Sequence, residues 1–528
     1  MIRYTFTQDQ DWTLNTQFED QSKLSFEGTG TVNVLNDSDG RLSVRAQAGT
    51  VNFANSDTKI NRLESSSDGR IQMNGLLTVN DFTSEGGILE MDVSLGTSAE
   101  TETGLAQNGN DGLLVNGTAS GSVGVLVADK NQLKKGQEES ITLIQVDGDA
   151  SDFSAQLVDE NGSSIAGITA GGYDYVLLAQ DQTVQSTGRD VATGTDYILT
   201  SKPGEEEKRN TTVTAGSYIG IAYAAQLFDL SLHDRVGNRD WINPMTGEKQ
   251  TTSLWMHHTM SHERFRDSTS QLRMRTTSNT TMLGGDLVQF TTGDSGLAYA
   301  GLMGGYGTMD TKSRSKVTNL HSKAETDAWG VGAYAGWKAN SDGQTGPYVD
   351  GWVMFTHANS DVTGVDQNTE DVKGQGLSAS LEAGWGFKVG SVATKNGKVA
   401  NFTVEPHASV TWFGMQYDEI HNEAQDVKFE GENNVRTRLG ARAILTQEGN
   451  NNFNAFVEAN WVHNTQEYGA TISGLTVDQA GSRNQGEGRI GVDWRVTDSL
   501  SVWGRVGASF GSDNYNEREG SIGVRYQF

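Results

Sequence analysis

The sequence predicts an all-β protein in unlike parts: a stack of short strands, one helix, and a twelve-stranded antiparallel β-barrel with an apolar outer wall. Three observations carry this. From about residue 252 onward the chain alternates with period two, an apolar row opposing glycines and charges. The composition holds 64 Gly but only 4 Pro, and hydrophobic residues make up only 35%, which suits strands joined by many tight turns. One segment alone, 217–235, places apolar residues at helical spacing.

The barrel is the clearest part. In Trp329-Gly-Val-Gly-Ala-Tyr-Ala-Gly-Trp337, one face takes Trp329, Val331, Ala333, Ala335 and Trp337, and the other takes Gly330, Gly332, Tyr334 and Gly336. From Leu377 to Val389 an apolar row ending in Trp385, Phe387 and Val389 opposes Ser378, Glu382 and Lys388. Ile490, Val492 and Trp494 oppose Arg489, Asp493 and Arg495. Such rows run roughly 11–18 residues, longer than the strands of a soluble sandwich, with aromatics at their ends as in a lipid-facing band with girdles. Twelve strands are expected, near 252–262, 280–291, 295–308, 326–339, 346–359, 374–390, 399–417, 433–447, 451–468, 484–497, 499–512 and 517–528. The even number allows closure, which removes every sheet edge in lipid. Turns at 294–296, 449–451 and 497–499 are tight, while connections at 310–325, 360–373, 418–432 and 469–483 are longer and polar. The inner wall is expected to carry Asp350, Glu382, Glu405, His407, Arg436, Arg438, Arg442, Glu458, Arg489, Asp493, Arg495, Arg505 and Arg525. Ile522, Val524, Tyr526 and Phe528 alternate outward on the closing strand, and a terminal aromatic there resembles the signal read by the machinery that inserts outer-membrane barrels.

Ahead of the barrel, residues 217–235 are free of Pro and Ala-rich, with Ile221, Ala225, Phe228 and Leu232 on one face of a helix. Ser201-Lys-Pro-Gly-Glu-Glu-Glu-Lys-Arg-Asn210 before it reads as a linker broken by Pro-Gly. Residues 1 to about 110 hold short β-like runs such as Thr31-Val-Asn-Val-Leu35 and Arg70-Ile-Gln-Met73 between small polar turns. They suit the rungs of a right-handed β-solenoid, with a β-sandwich as the alternative. Residues 111 to about 200 read as its end cap, because a last rung otherwise exposes an open edge.

Composition removes several functions. The chain has no Cys, so disulfides, thiolate metal sites and a Cys nucleophile are excluded. Its net charge of −27 argues against nucleic acid as a partner. No run of about 18 apolar residues occurs, so no transmembrane helix is expected, which leaves a barrel open. No basic region and apolar core follow Met1, so no signal peptide is visible. Gly293-Asp-Ser-Gly296 matches a serine-protease tetrapeptide but falls in a tight turn. His258 and His262 share a face about 13 Å apart, too far for one metal. Asp147-Gly-Asp149 lacks the remaining ligands of a calcium loop and reads as a turn.

Gly171-Gly-Tyr-Asp-Tyr175, the helix leading to Leu230-Ser-Leu-His-Asp-Arg-Val-Gly-Asn-Arg239, Ser253-Leu-Trp-Met-His257 and Val524-Arg-Tyr-Gln-Phe528 together resemble classical monomeric autotransporters of the AIDA/antigen-43 adhesin type. The resemblance covers nearly the whole chain. It implies a β-helix passenger fragment (1–110), a pertactin-like junction aiding passenger folding (111–200), a linker with a pore-threading helix (201–250) and an outer-membrane translocator barrel (251–528). It implies secretion and surface display of an adhesin-like passenger by a non-enzymatic module without cofactors. Its partners would be outer-membrane lipid, the barrel-insertion machinery, periplasmic chaperones and the surfaces the passenger binds, host or neighbouring cell or itself. Some relatives cleave their passenger with paired carboxylates acting as general base and acid; here Asp111 with Glu138 or Glu139 are the candidates. A porin-like channel with an N-terminal β domain is the competing reading.

Overall fold

The computed structural model describes residues 2–96, 102–129, 136–181, 194–201, 211–236, 253–293, 295–340, 345–365, 369–393, 399–422, 425–447, 453–497 and 499–527. The N-terminal stack forms because apolar residues recur in register from rung to rung. Leu24, Val44, Leu63 and Phe82 stand directly above one another on parallel strands. Val32, Val51, Ile71 and Leu89 make a second column. All eight are essentially solvent-free, so each rung buries its apolar face only against its neighbours. Polar ladders run outside the core: Asn52 donates to Asn33 at 2.9 Å and Asn80 to Asn61 at 3.0 Å.

Asp152–Leu157 adds the last parallel pairing, against Ala119–Asp129, and the switch to antiparallel pairing comes at Ser140–Val146. This strand pairs parallel with Gly112–Val115 on one side and antiparallel with Thr195–Thr200 on the other. Tyr173–Asp181 and Ile168–Ala170 continue the antiparallel pairing. An aromatic file of Phe82, Phe153 and Tyr197, with ring centroids 5.6 and 5.3 Å apart, seals this end.

Twelve antiparallel strands form the barrel: β1 Ser253–Asp267, β2 Leu272–Thr292, β3 Gly296–Ser315, β4 His321–Lys338, β5 Gly346–Thr363, β6 Thr369–Ala393, β7 Val399–Tyr417, β8 Asn434–Gln447, β9 Phe453–Asn464, β10 Asn484–Arg495, β11 Leu500–Gly511 and β12 Asn516–Gln527. Each pairs with its neighbours, and β1 closes on β12 from Ser253↔Gln527 to Arg264↔Asn516. The outward row carries Leu381 at 61%, Val389 at 62% and Ile522 at 63% exposure, values that require lipid rather than water around them. Val524 and Tyr526 lie in the same outward row; Phe528 lies outside the described residues.

Two expectations need correction. The segments 310–325 and 360–373 are mostly strand, because β3 runs to Ser315, β4 starts at His321, β5 runs to Thr363 and β6 starts at Thr369. Above the lipid the outward face turns polar while Leu320, Ala324, Val362 and Val372 face inward, so the apolar-out, polar-in alternation of the membrane band disappears from the sequence. The longer connections are ordered too: Ile420–His421, Asp426–Glu430, Gly469–Ile472 and Leu475–Ala480 pair as a small sheet joined to β1 at Arg266 and Asp267.

The helix expected over 217–235 is two helices. Helix α1 spans Thr214–Tyr223 and continues as one 3-10 turn, Ala224–Gln226; helix α2 spans Leu232–Val236. The break contains neither Gly nor Pro. It is imposed from outside, where Arg436 holds Gln226 and Asp229, and the Leu227 carbonyl accepts from Thr280 at 3.3 Å.

The helix-filled lumen as candidate functional site

Helix α1 is buried from Thr214 to Ala222 and is built of small and apolar residues on every side, as a helix enclosed all round must be. Gly216 and Gly220 let it touch the wall. A Cβ at Gly216 would meet Ser313 Oγ at 2.2 Å, and one at Gly220 would meet Thr311 Oγ1 at 2.3 Å. Ser217 shares a 2.6 Å hydrogen bond with Ser322, and Tyr218 donates to Glu370 at 2.5 Å. The small loop sheet roofs this half: Val427, Phe429, Ile472 and Val477 join Tyr218, Ile219 and the wall in one apolar cluster.

The N-terminus of α1 is tied to the β-stack. Asp174, fully buried, accepts from the Thr212 hydroxyl and the Val213 N–H, both at 2.7 Å, and from Thr169 at 2.9 Å. Thr211 N–H donates to Gln271 at 2.8 Å. Gly172 (φ +89°) sits against Ile472 and Leu475 of the roof; its left-handed backbone favours glycine there. Val176 packs in the same cluster as Leu320. The antiparallel end of the stack is thus seated on the barrel rim.

Polar contacts hold α2 in the opposite half. Asp234, in its first turn, accepts from the Ser231 N–H at 2.9 Å and hydroxyl at 2.6 Å, the return half of a capping box. Arg235, fully buried, pairs with Asp350, which also accepts from Tyr299 at 2.7 Å. His233 meets Glu405 at 2.7 Å, the Leu232 N–H donates to Glu382 at 3.0 Å, and Trp352 donates to the Leu230 carbonyl at 2.9 Å. Asp234 pairs with Arg505 at 2.6 Å and Arg489 at 3.8 Å, and Asp229 with Arg436 at 3.1 Å. Phe228 packs over Gly305 and Gly330, whose missing side chains leave it room.

Of the thirteen wall residues expected from sequence, six therefore touch the helical segment: Asp350, Glu382, Glu405, Arg436, Arg489 and Arg505. Others bind across the wall: Arg442 to Glu458 at 2.9 Å, His407 to Asn460 at 2.9 Å, Arg438 to Glu487 at 3.3 Å, Asp493 to Arg505 at 3.5 Å and Arg525 to Asp286 at 3.2 Å. Arg495 is half-buried at the far end of β10. A polar cavity of 90 Å³ remains between Asp229, Asp234, Arg436 and Glu517, room for a few waters. Sequence reasoning missed the inward aromatics Trp255, Tyr299, Trp352 and Trp503, all buried, and the partners Asp229, Asp234 and Arg235. The capping pair Ser231 and Asp234 was legible as a signal.

The other motifs find ordinary places. Ser295 Oγ bonds the Ala339 carbonyl and Asn340; Asp294 lies outside the described residues. His257 stacks on Trp503 inside, while His258 bonds Thr281. Asp149 accepts from the Ser151 N–H, which lowers its pKa. Asp111 accepts from the N–H groups of Gly75 and Asp92, both at 2.8 Å. Glu139 accepts from Gly96 N–H and Tyr175 OH, both at 2.7 Å, and burial together with that carboxylate raises the Tyr175 phenol far above its usual range. Glu138 is half-buried beside it.

A closed barrel with a lipid-facing wall, filled by its own chain and capped by a β-stack at one mouth, defines a self-plugged outer-membrane translocator. Residues 254–507 match the autotransporter beta-domain family, and the chain is similar to AIDA-like classical autotransporters. It is 30% identical to the uncharacterized protein YuaQ of Escherichia coli K12 over 95% of this chain and 39% of that one. It is 29% identical to YdeU of the same strain over 86% and 98%, and 28% identical to the Escherichia coli autotransporter adhesin AIDA-I over 86% and 34%. The chain thus spans well under half the length of YuaQ and AIDA-I. The solved transport unit of AIDA-I matches with a TM-score of 0.54 at 28% identity, over 60% of this chain and 100% of that one. The barrel lies in the outer membrane, with the β-stack displayed on the cell surface.

Proposed function

We propose that this chain secretes and displays its own N-terminal region, a non-enzymatic passenger that mediates adhesion, autoaggregation or biofilm formation. In this reading residues 1–110 belong to the passenger, 111–200 are a junction that aids its folding, 201–250 hold the linker and threading segment, and 251–528 are the translocator. The observation that carries it is the continuous course of residues 211–236 from the stack through the lumen, with contacts along both helices. The adhesin-like character rests on the relative AIDA-I, an autotransporter adhesin.

Lipid is the partner of the outer wall, and Ile522, Val524, Tyr526 and Phe528 would be read by the insertion machinery after periplasmic chaperones deliver the chain. Protease shaving of intact cells tests the orientation: residues 1–200 should be accessible while the barrel is protected. Deleting 211–236 should raise single-channel conductance. An unchanged conductance would favour the porin-like channel instead.

A further inference from the structure

The outer wall carries a charge pattern that display does not explain. Arg264 and Arg266 on β1 face Arg275 and Arg273 on β2. These in turn face Lys312 and Arg314 on β3. Six cations thus stand in two rows across three adjacent strands. With strands about 4.8 Å apart and alternate residues about 6.6 Å apart, the tile measures roughly 10 by 7 Å. Like charges directly opposed across strands destabilise a sheet.

Five of the six are exposed and Arg266 is half-buried. Among the described residues none forms an ion pair; Arg264 bonds His262 and Arg314 bonds Asn319. The neighbouring Asp310 lies 3.9 Å from a different cation, Lys323. A cluster of this kind calls for an external polyanion, and Arg binds phosphate oxygens in a fork.

Position selects the anion. Tyr306 and Trp329, paired across β3 and β4 and exposed by 54% and 46%, mark the upper edge of the apolar band on the surface side. Lys312 and Arg314 lie further up the same strand as Tyr306. At about 3.3 Å per residue and a tilt of about 40°, they stand roughly 15–20 Å above that edge. The phosphate of an ordinary phospholipid lies at the aromatic level, too low. A phosphate carried on a saccharide above the hydrocarbon lies at the right height.

We propose that this tile binds the phosphorylated sugar headgroup of an outer-leaflet glycolipid. The test uses the full chain in detergent micelles. Binding is measured to a rough lipopolysaccharide with a phosphorylated core, to the same lipid after dephosphorylation, and to phosphatidylglycerol vesicles, with inorganic phosphate as competitor. The variant Arg273→Gln/Arg275→Gln/Lys312→Gln/Arg314→Gln should bind the phosphorylated glycolipid at least tenfold more weakly, and dephosphorylation should weaken the native chain equally. The Arg-to-Lys counterpart should keep most of the affinity. Phosphatidylglycerol should bind no better than neutral vesicles, and millimolar phosphate should not compete. Heat-modifiable migration on gels reports folding; if the fourfold variant fails it, each single Gln variant should bind two- to fourfold more weakly. Affinity within twofold of native in the folded variants, equal binding of the dephosphorylated lipid, equal binding of phosphatidylglycerol, or competition by free phosphate would overturn the proposal.

Discussion

Asp350→Ala strands a charge inside the pore. Arg235 is fully buried and pairs with Asp350, with its guanidinium 4.8 Å from the Tyr334 ring centroid. Removing one partner of a buried pair costs about 3–5 kcal/mol. The Tyr334 ring stays against the guanidinium after the substitution, so the lower end applies, about 3 kcal/mol. At about 1.4 kcal/mol per decade, the unseated state becomes roughly a hundred times more populated. The plug does not fall out, because Phe228, Leu230 and Leu232 remain buried in the lumen, each contributing about 1.5–3 kcal/mol. Single-channel recording in planar bilayers should show brief openings about a hundredfold more often than the native chain. Arg235→Met with Asp350→Asn, which removes both charges, should return most of the way to native behaviour. If the single and double variants open equally often, the ion pair does not hold the plug.

Other expectations follow from the same contacts. Gly220→Val places a branched side chain into Thr311; α1 should fail to seat, with open-pore conductance close to that of the 211–236 deletion. Asp174→Ala leaves the Val213 N–H and the Thr212 hydroxyl without their acceptor, a cost of about 2–3 kcal/mol, and protease should then cut near residue 211 on intact cells while the barrel still migrates as folded. Asp111→Asn tests self-cleavage by pulse-chase. Its carboxylate already serves two N–H groups, so processing should be unchanged and the stack destabilised by about 1–2 kcal/mol; a processing block would make Asp111 catalytic.

Legibility in the sequence followed the solvent. Strand β7 begins and ends at the residues the alternation gives, 399 and 417, because lipid on one side and a polar lumen on the other force opposite chemistries onto successive residues. Where β3 rises past Met309, water bathes the outside and Asp310-Thr-Lys-Ser-Arg-Ser315 looks like a loop although it is strand. The lumen residues were legible as polar positions in alternation, but not their partners, since all four strands β1–β4 lie between Arg235 and Asp350 in the sequence. The helix break was legible only on its far side, where Ser231 and Asp234 mark a new start; Gln226 and Asp229 carry no breaking signal, and Arg436, far along the chain, holds them.

The length of the strands has a spatial consequence. Strand β3, 20 residues long, spans roughly 50 Å along the barrel axis at a tilt of about 40°, about twice the 25 Å apolar band. The surplus stands on the outer side as a rigid pedestal, and the stack seated on its rim starts well above the membrane plane. Whatever the surface region contacts, it meets at a height set by strand length and not at the lipid surface.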